Sequence, residues 1–380
     1  MGQKMQDVDL TKQINWLLHD HIKAGGISVA ISSTTKGPYY FKAGLADIEN
    51  NKPVNDNHLF GIGSITKVFV AVVILQLVEE GTLALQDKVG QHVPNHKYRD
   101  IDNAESATIE QLLSHTAGID SWEDDPVWLV DGRGANVTGD PEHLWPTTKT
   151  LDYIRRPRRT APQPGKWYYS NTNYTLLGLI IEMVTNRVAR DEIWRRIFKP
   201  LDMKHTFLDG FEYKPLGKVA SRYHYASEKF RETAGVSPAF RSVNDDVIDV
   251  TGSNLSVSWM AGGYISHPAD LIKFAQALRS GTLLKQSSWE MMQSWRLTTI
   301  PNHEMGYGLF RKEIPGKGTW LGHSGGVLGF SAQLWWREDG DCVVCVLANL
   351  GTVNAGPVSF GTTPIIGASD FLNLALKLVE

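Results

Sequence analysis

The chain has 380 residues, 42% of them hydrophobic and 21% charged, with a formal net charge of −3. That suffices for one large domain or two smaller ones around a well-buried core, and it offers no basic surface for nucleic acid or an anionic membrane. Two cysteines, Cys342 and Cys345, are too few for a disulfide framework.

The opening residues, Met1 to Asp7, run into polar sequence without the apolar stretch of a signal peptide, and Gln6 stands where a myristoylation signal needs Ser or Thr. The longest apolar run, residues 68–78, is interrupted by Gln76 and is too short to span a bilayer. The expectation is a cytoplasmic protein with no membrane segment. Leu10, Ile14, Leu17, Leu18 and Ile22 recur at helical spacing until Gly25-Gly26 ends the segment. Two strands follow, 27–32 and 39–43, joined through Lys36-Gly37-Pro38. Residues 65–80 form a helix apolar on nearly every face, hence buried, with Gly81 as its stop. Helices are also expected at 108–114 and 174–185. Residues 208–258 carry little periodicity and read as loops around a cleft. At the far end, 330–336 and 342–349 read as antiparallel strands and 368–379 as an amphipathic helix. The fold class expected is α/β (α+β): an antiparallel sheet flanked by the terminal helices (1–63 and 260–380), with a mostly helical region (64–259) inserted. No internal repeat is visible.

Chemistry concentrates at Phe60-Gly61-Ile62-Gly63-Ser64-Ile65-Thr66-Lys67. Ser64 lies where a glycine-rich turn meets the buried helix, and Lys67, three residues on, shares its face. A serine hydroxyl needs a neighbouring base to become a nucleophile. A lysine can be that base only when burial lowers its pKa, which an apolar helix supplies. Free N–H groups at the helix start can also face a developing oxyanion. A second element is Tyr169-Ser170-Asn171. Its phenol can relay a proton to a leaving group, and its amide can hold both the lysine and a substrate amide. The third is Gly322-His323-Ser324-Gly325-Gly326, whose glycines let a substrate backbone approach an edge strand.

Ser-x-x-Lys, then Tyr-x-Asn, then His-Ser-Gly, in this order, resembles the serine β-lactamase and penicillin-binding protein superfamily, in particular its branch of class C β-lactamases, D,D-peptidases, D-amino-acid amidases and esterases. His58-Leu59-Phe60, Leu112-Leu113-Ser114-His115-Thr116-Ala117-Gly118, Pro200-Leu201-Asp202-Met203, and Ala261-Gly262-Gly263 followed by Asp270-Leu271 look similar too, and the resemblance covers roughly residues 10–350. It implies a β-lactamase/transpeptidase-like fold. It also implies Ser64 as nucleophile, Lys67 as base, Tyr169 as proton relay, Asn171 as substrate orienter, and the amides of Ser64 and Gly326 as oxyanion hole. His323, Ser324, Gly325 and Gly326 would bind substrate; no cofactor and no metal are implied. The implied activity is hydrolysis of an amide, lactam or ester through an acyl-enzyme on Ser64, with a small-molecule acyl donor as the partner. The alternatives are acyl transfer to an alcohol or amine, and a binding protein that kept the fold without the activity. Two departures stand out. The approach from Pro164-Gly165 to Tyr169 is one residue short, which leaves Tyr168 as the lesser relay candidate. His323 replaces the lysine of true β-lactamases, which favours a neutral substrate.

Other readings are weaker. Gly322-His323-Ser324-Gly325-Gly326 matches the Gly-x-Ser-x-Gly elbow of α/β-hydrolases, but no histidine follows it in the chain. His19-Asp20-His21, His92 and His96 make no convincing ligand set. Cys342 and Cys345, three apart on a strand, face opposite sides. Arg155-Arg156-Pro157-Arg158-Arg159 and Asp124-Asp125 read as exposed loop charges. Trp122, Trp128, Trp145 and Trp167 serve either the core or an aromatic acyl pocket.

Overall fold

The computed structural model describes residues 2–155, 162–212 and 217–379, with side chains from residue 9 onward. In chain order the elements that place the site are α1 (Gly2–Asp20), β1 (Gly26–Ser32), β2 (Tyr39–Asp47), β3 (Lys52–Pro53), β4 (His58–Gly61), α2 (Thr66–Glu79), α3 (Ile109–Leu113), α4 (Pro126–Gly132), α5 (Asn171–Thr185), α6 (Trp259–Gly262), β5 (Tyr264–Ser266) and α7 (Pro268–Arg279). They continue with β6 (Arg296–Leu297), β7 (His303–Met305), β8 (Phe310–Ile314), β9 (Gly318–Val327), β10 (Phe330–Arg337), β11 (Val343–Ala348) and α8 (Phe371–Val379).

A nine-stranded sheet runs β6-β7-β8-β9-β10-β11-β1-β2-β3, so strands from the two ends of the chain, β1 and β11, pair inside it. β1 pairs antiparallel with both neighbours, Ile27 opposite Ala348 on one side and Ala43 on the other. Alternation along these strands sorts the two faces. Val29, Ile31, Val344 and Val346 pack with Leu10, Ile14 and Leu18 of α1 and Phe371, Leu374 and Leu378 of α8. Ala30, Cys345 and Leu347 pack on the other face with Leu271, Phe274 and Leu278 of α7. Cys342 joins the first cluster and Cys345 the second, on opposite sides of the sheet as the spacing requires.

α2 lies in the middle of the larger core, buried at every position from Thr66 to Leu75. Phe69 anchors it edge-on against Phe198, Tyr264 and Phe274, with ring centroids 5.1, 5.8 and 4.6 Å away. Among the described residues no helix is long and apolar enough to cross a membrane.

Three expectations need correction. The helix expected from 174 begins at Asn171, because its first turn is polar. Thr172 and Thr175 accept from the backbone and the indole of Trp122, so that turn is buried without any apolar periodicity to mark it. Residues 208–258 are not all loop: Tyr223–Tyr225, Val247–Asp249 and Arg241–Ser242 form a small sheet with Leu350–Gly351, in strands too short to show alternation. The charges at 124–125 and 155 are not simply exposed. Asp125 is buried and caps α4 by accepting from the Val127 and Trp128 amides, and Arg155 clamps Asp152 and the carbonyls of Lys97 and Arg99. The rest of the arginine run, 156–159, lies outside the described residues.

Candidate active site

Between His58 and Leu75 every residue is buried except Ser64. The hydroxyl therefore surfaces through an otherwise sealed segment. Gly63–Ile65 forms a tight turn ahead of α2, and Gly63 has φ of 50°, a left-handed conformation that favours glycine. A Cβ there would also fall 2.6 Å from the Gly326 nitrogen, and one on Gly325 would meet the Ile62 carbonyl at 1.9 Å. Bare backbone is what lets the Ser64 turn lie against β9. β9 pairs with β8 only as far as Gly322, so residues 323–327 have no strand partner on that side among the described residues, and Ser324, Gly325 and Gly326 are half-buried.

Lys67 is fully buried, and its ammonium donates to Ser64 Oγ at 2.9 Å and to the Ala261 carbonyl at 2.6 Å. That carbonyl belongs to α6, whose first residue, Trp259, sits at φ 37°. The Tyr169 and Tyr174 rings also flank the amine, 5.0 and 5.5 Å from Nζ. Burial lowers the Lys67 pKa to about 7; the charge of Glu123 raises it, and that of Arg133 lowers it.

Tyr169 is half-buried, its hydroxyl hydrogen-bonded to Ser64. Burial pushes its pKa up, with the Ser64 bond acting the other way. Tyr168, the lesser candidate, turns away and donates to Asp120 and Asp124 at 3.0 and 2.6 Å. Asn171 is buried in the first turn of α5; its Nδ2 donates to Glu123, leaving Oδ1 without a partner among the described residues. The other Glu123 oxygen accepts from buried Arg133, which also donates to Asn354.

His323 is buried beside Tyr169 and Phe310, at ring distances of 6.3 and 4.9 Å. Its Nδ1 lies 2.5 Å from the Ser324 carbonyl. A carbonyl only accepts, so Nδ1 carries the proton and Nε2 is a bare acceptor. Burial first, and then the charge of Lys67, push its pKa down to about 3. The imidazole at this position is uncharged.

Of the eight residues singled out from the sequence, Ser64, Lys67, Tyr169 and His323 are neighbours, Ser324, Gly325 and Gly326 continue the strand that lies against the Ser64 turn, and Asn171 joins them through Glu123. The sequence reading missed Glu123, Arg133, His115 and the Ala261 carbonyl. His115 and Ala261 each lay within a phrase already noticed, without a role assigned; Glu123 and Arg133 stand at no fixed spacing from any motif. Of the four tryptophans, Trp122 and Trp128 are core, 4.7 Å apart, while Trp145 and Trp167 are half-buried.

A serine bonded to a buried lysine and a phenol, at the foot of a large antiparallel sheet, defines the class: the serine hydrolases of β-lactamase and penicillin-binding type. The chain belongs to the beta-lactamase family, whose model matches residues 17–358. It is 27% identical to the putative penicillin-binding protein PbpX of Bacillus subtilis (strain 168) across 92% of this chain and 77% of that one. Among solved structures it resembles the D-amino acid amidase of Ochrobactrum anthropi SV3 complexed with D-phenylalanine, with a TM-score of 0.80 and 26% identity over 97% of this chain and 99% of the other. A D-stereospecific amidohydrolase from Streptomyces sp. gives 0.76 and 27% over 90% and 94%.

Proposed function

We propose that the chain is a serine amidase that forms an acyl-enzyme on Ser64 and takes small acyl donors with no carboxylate beside His323. The observation that carries this reading is the sealed amine of Lys67 in hydrogen-bond contact with Ser64 Oγ, its pKa near neutrality. Two titratable groups touch Ser64, and their surroundings push them in opposite directions: Lys67 down, Tyr169 up. Lys67 is thus the base, and Tyr169 stays a phenol that passes a proton on.

Neutral Lys67 takes the hydroxyl proton as Oγ adds to the carbonyl carbon. The amides of Ser64 and Gly326 face the oxygen that gains charge. As the C–N bond breaks, Tyr169 gives its proton to the departing nitrogen and regains one from Lys67. Water then attacks the acyl-enzyme, and the same groups move protons the other way. Asn171 orients the acyl side, through the oxygen that Glu123 leaves open.

Substrate preference follows from His323. A neutral acceptor gives no attraction to a carboxylate, whereas it receives an N–H well. The named amidases among the structural relatives agree with an amide substrate. The test is labelling with a fluorophosphonate and mass mapping of the adduct, followed by turnover of D-phenylalanine amide, p-nitrophenyl acetate and benzylpenicillin. The adduct is expected on Ser64, with the amide and ester cleaved and the penicillin spared. An adduct elsewhere, or penicillin cleaved faster than the amide, overturns the reading.

A further inference from the structure

Three separate contacts converge from one residue, His115, onto the segment that carries Tyr169. Its backbone carbonyl accepts from the Tyr168 N–H at 2.8 Å, and its ring Nδ1 accepts from the Ser170 N–H at 3.1 Å. Its ring also stacks on the Tyr169 ring, with centroids 4.3 Å apart and planes at 28°. Both peptide neighbours of Tyr169 and one face of its ring are therefore held by the same side chain and backbone. On a second side the Phe310 ring lies nearly parallel to Tyr169, 6.4 Å away at 12°.

His115 itself is fixed. It is fully buried, just past the end of α3, and adopts φ 57°, a left-handed conformation uncommon outside glycine and asparagine. A residue held in such a conformation points to a constraint from its surroundings. Its tautomer is fixed too. Because Nδ1 accepts, the proton sits on Nε2, which has no hydrogen-bond partner among the described residues. Burial, followed by the charges of Lys67 and His323, holds its pKa well below the ordinary value, so it adds no second cation beside Lys67.

We propose that His115 is a positioning residue for Tyr169, fixing the phenol so that its hydroxyl stays on Ser64 Oγ and in line with the leaving group. The role needs an aromatic face and a ring acceptor on one side chain. Phenylalanine offers the first alone and asparagine the second alone. The inference rests on Tyr169 acting as the relay, so the test separates the two ideas.

The probes are two acetates: that of p-nitrophenol, whose anion departs unaided, and that of trifluoroethanol, which needs a proton to depart. His115→Asn, which tolerates the left-handed backbone and keeps an acceptor, is expected to lower kcat/KM, which reads acylation and not the shared acetyl-enzyme hydrolysis, about tenfold for the trifluoroethyl ester and under about twofold for the p-nitrophenyl ester. In a Tyr169→Phe background the same substitution is expected to change neither rate by more than about twofold. His115→Phe, which keeps the ring, serves if the asparagine variant melts early, and it is expected to show the same pattern in milder form. Equal slowing of both esters, or equal slowing in both backgrounds, identifies a merely structural residue and overturns the proposal. So does wild-type cleavage of both esters by the folded variant. A wild-type rate for Tyr169→Phe on the trifluoroethyl ester removes the relay itself and the proposal with it. Absence of Ser64-dependent cleavage of either ester by the parent chain overturns the reading beneath both.

Discussion

Lys67 and Arg222 are both cations in the interior, and the chain treats them in opposite ways. Arg222 donates to Asp209 at 2.7 Å and to the Ser253 carbonyl at 2.5 Å, and its guanidinium lies 5.5 Å from the Phe330 ring. Asp209 in turn accepts from the Leu255 amide at 2.9 Å. Every charge there is matched. Lys67 is equally buried, but its two hydrogen-bond acceptors are a hydroxyl and a carbonyl, with Glu123 acting only from a distance. A buried ion with a partner is a structural element; one without a partner yields its proton near neutrality, which is what a base requires. The comparison predicts that damage at one site shows in stability and at the other in rate.

Ser64→Ala is expected to have the largest effect, a loss on the order of 10⁶ in kcat, measured with the amide or ester that the parent cleaves. Lys67→Met comes next, with about 10⁴ lost in rate and a melting temperature no lower than that of the parent, since an unmatched buried amine is replaced by an apolar chain of similar size. A clear drop in its melting temperature would break the contrast. Asp209→Ala should do the reverse. It strands Arg222 and costs about 3–5 kcal/mol of stability in denaturant titration, while the folded fraction keeps its kcat. Tyr169→Phe is expected to slow cleavage about 10²-fold without unfolding the chain.

The smallest effect concerns pH. The rate should rise as pH increases through about 7, because the neutral amine is the active form. Glu123 raises the Lys67 pKa, so Glu123→Gln is expected to move this acid limb to lower pH by less than about one unit, read from a kcat/KM profile. An upward move contradicts the assignment of the limb to Lys67. Linkage gives a parallel check. The folded pKa of about 7 lies below the ordinary 10.5, so the unfolded chain binds more protons between those values. The Lys67 contribution to stability therefore grows with pH across that window, and Lys67→Met should flatten it.

The Ser64–Lys67 contact was legible because the two are neighbours in the chain. Three residues on a helix place two side chains together whatever the rest of the fold does, and the apolar run around them announces burial. The central sheet was legible for a similar reason, since alternation and turn residues mark 27–32, 39–43, 330–336 and 342–349 locally. The polar first turn of α5 was not, because its residues are satisfied by partners about 50 positions away, at Trp122 and Glu123. Nor were the short strands of 208–258, whose two or three residues leave no period to read.

From the sequence alone, then, came the fold class, the serine, the lysine and the three motifs in their order, all of them properties of short stretches of chain. Tertiary packing decided which tyrosine meets Ser64, that Lys67 bonds to a hydroxyl and a carbonyl, and that Glu123 takes the Asn171 amide N–H and leaves its oxygen without a partner among the described residues. It also decided which nitrogen of His323 and of His115 bears the proton. Each of these depends on a distance across the core between residues far apart in sequence, and no local pattern encodes such a distance.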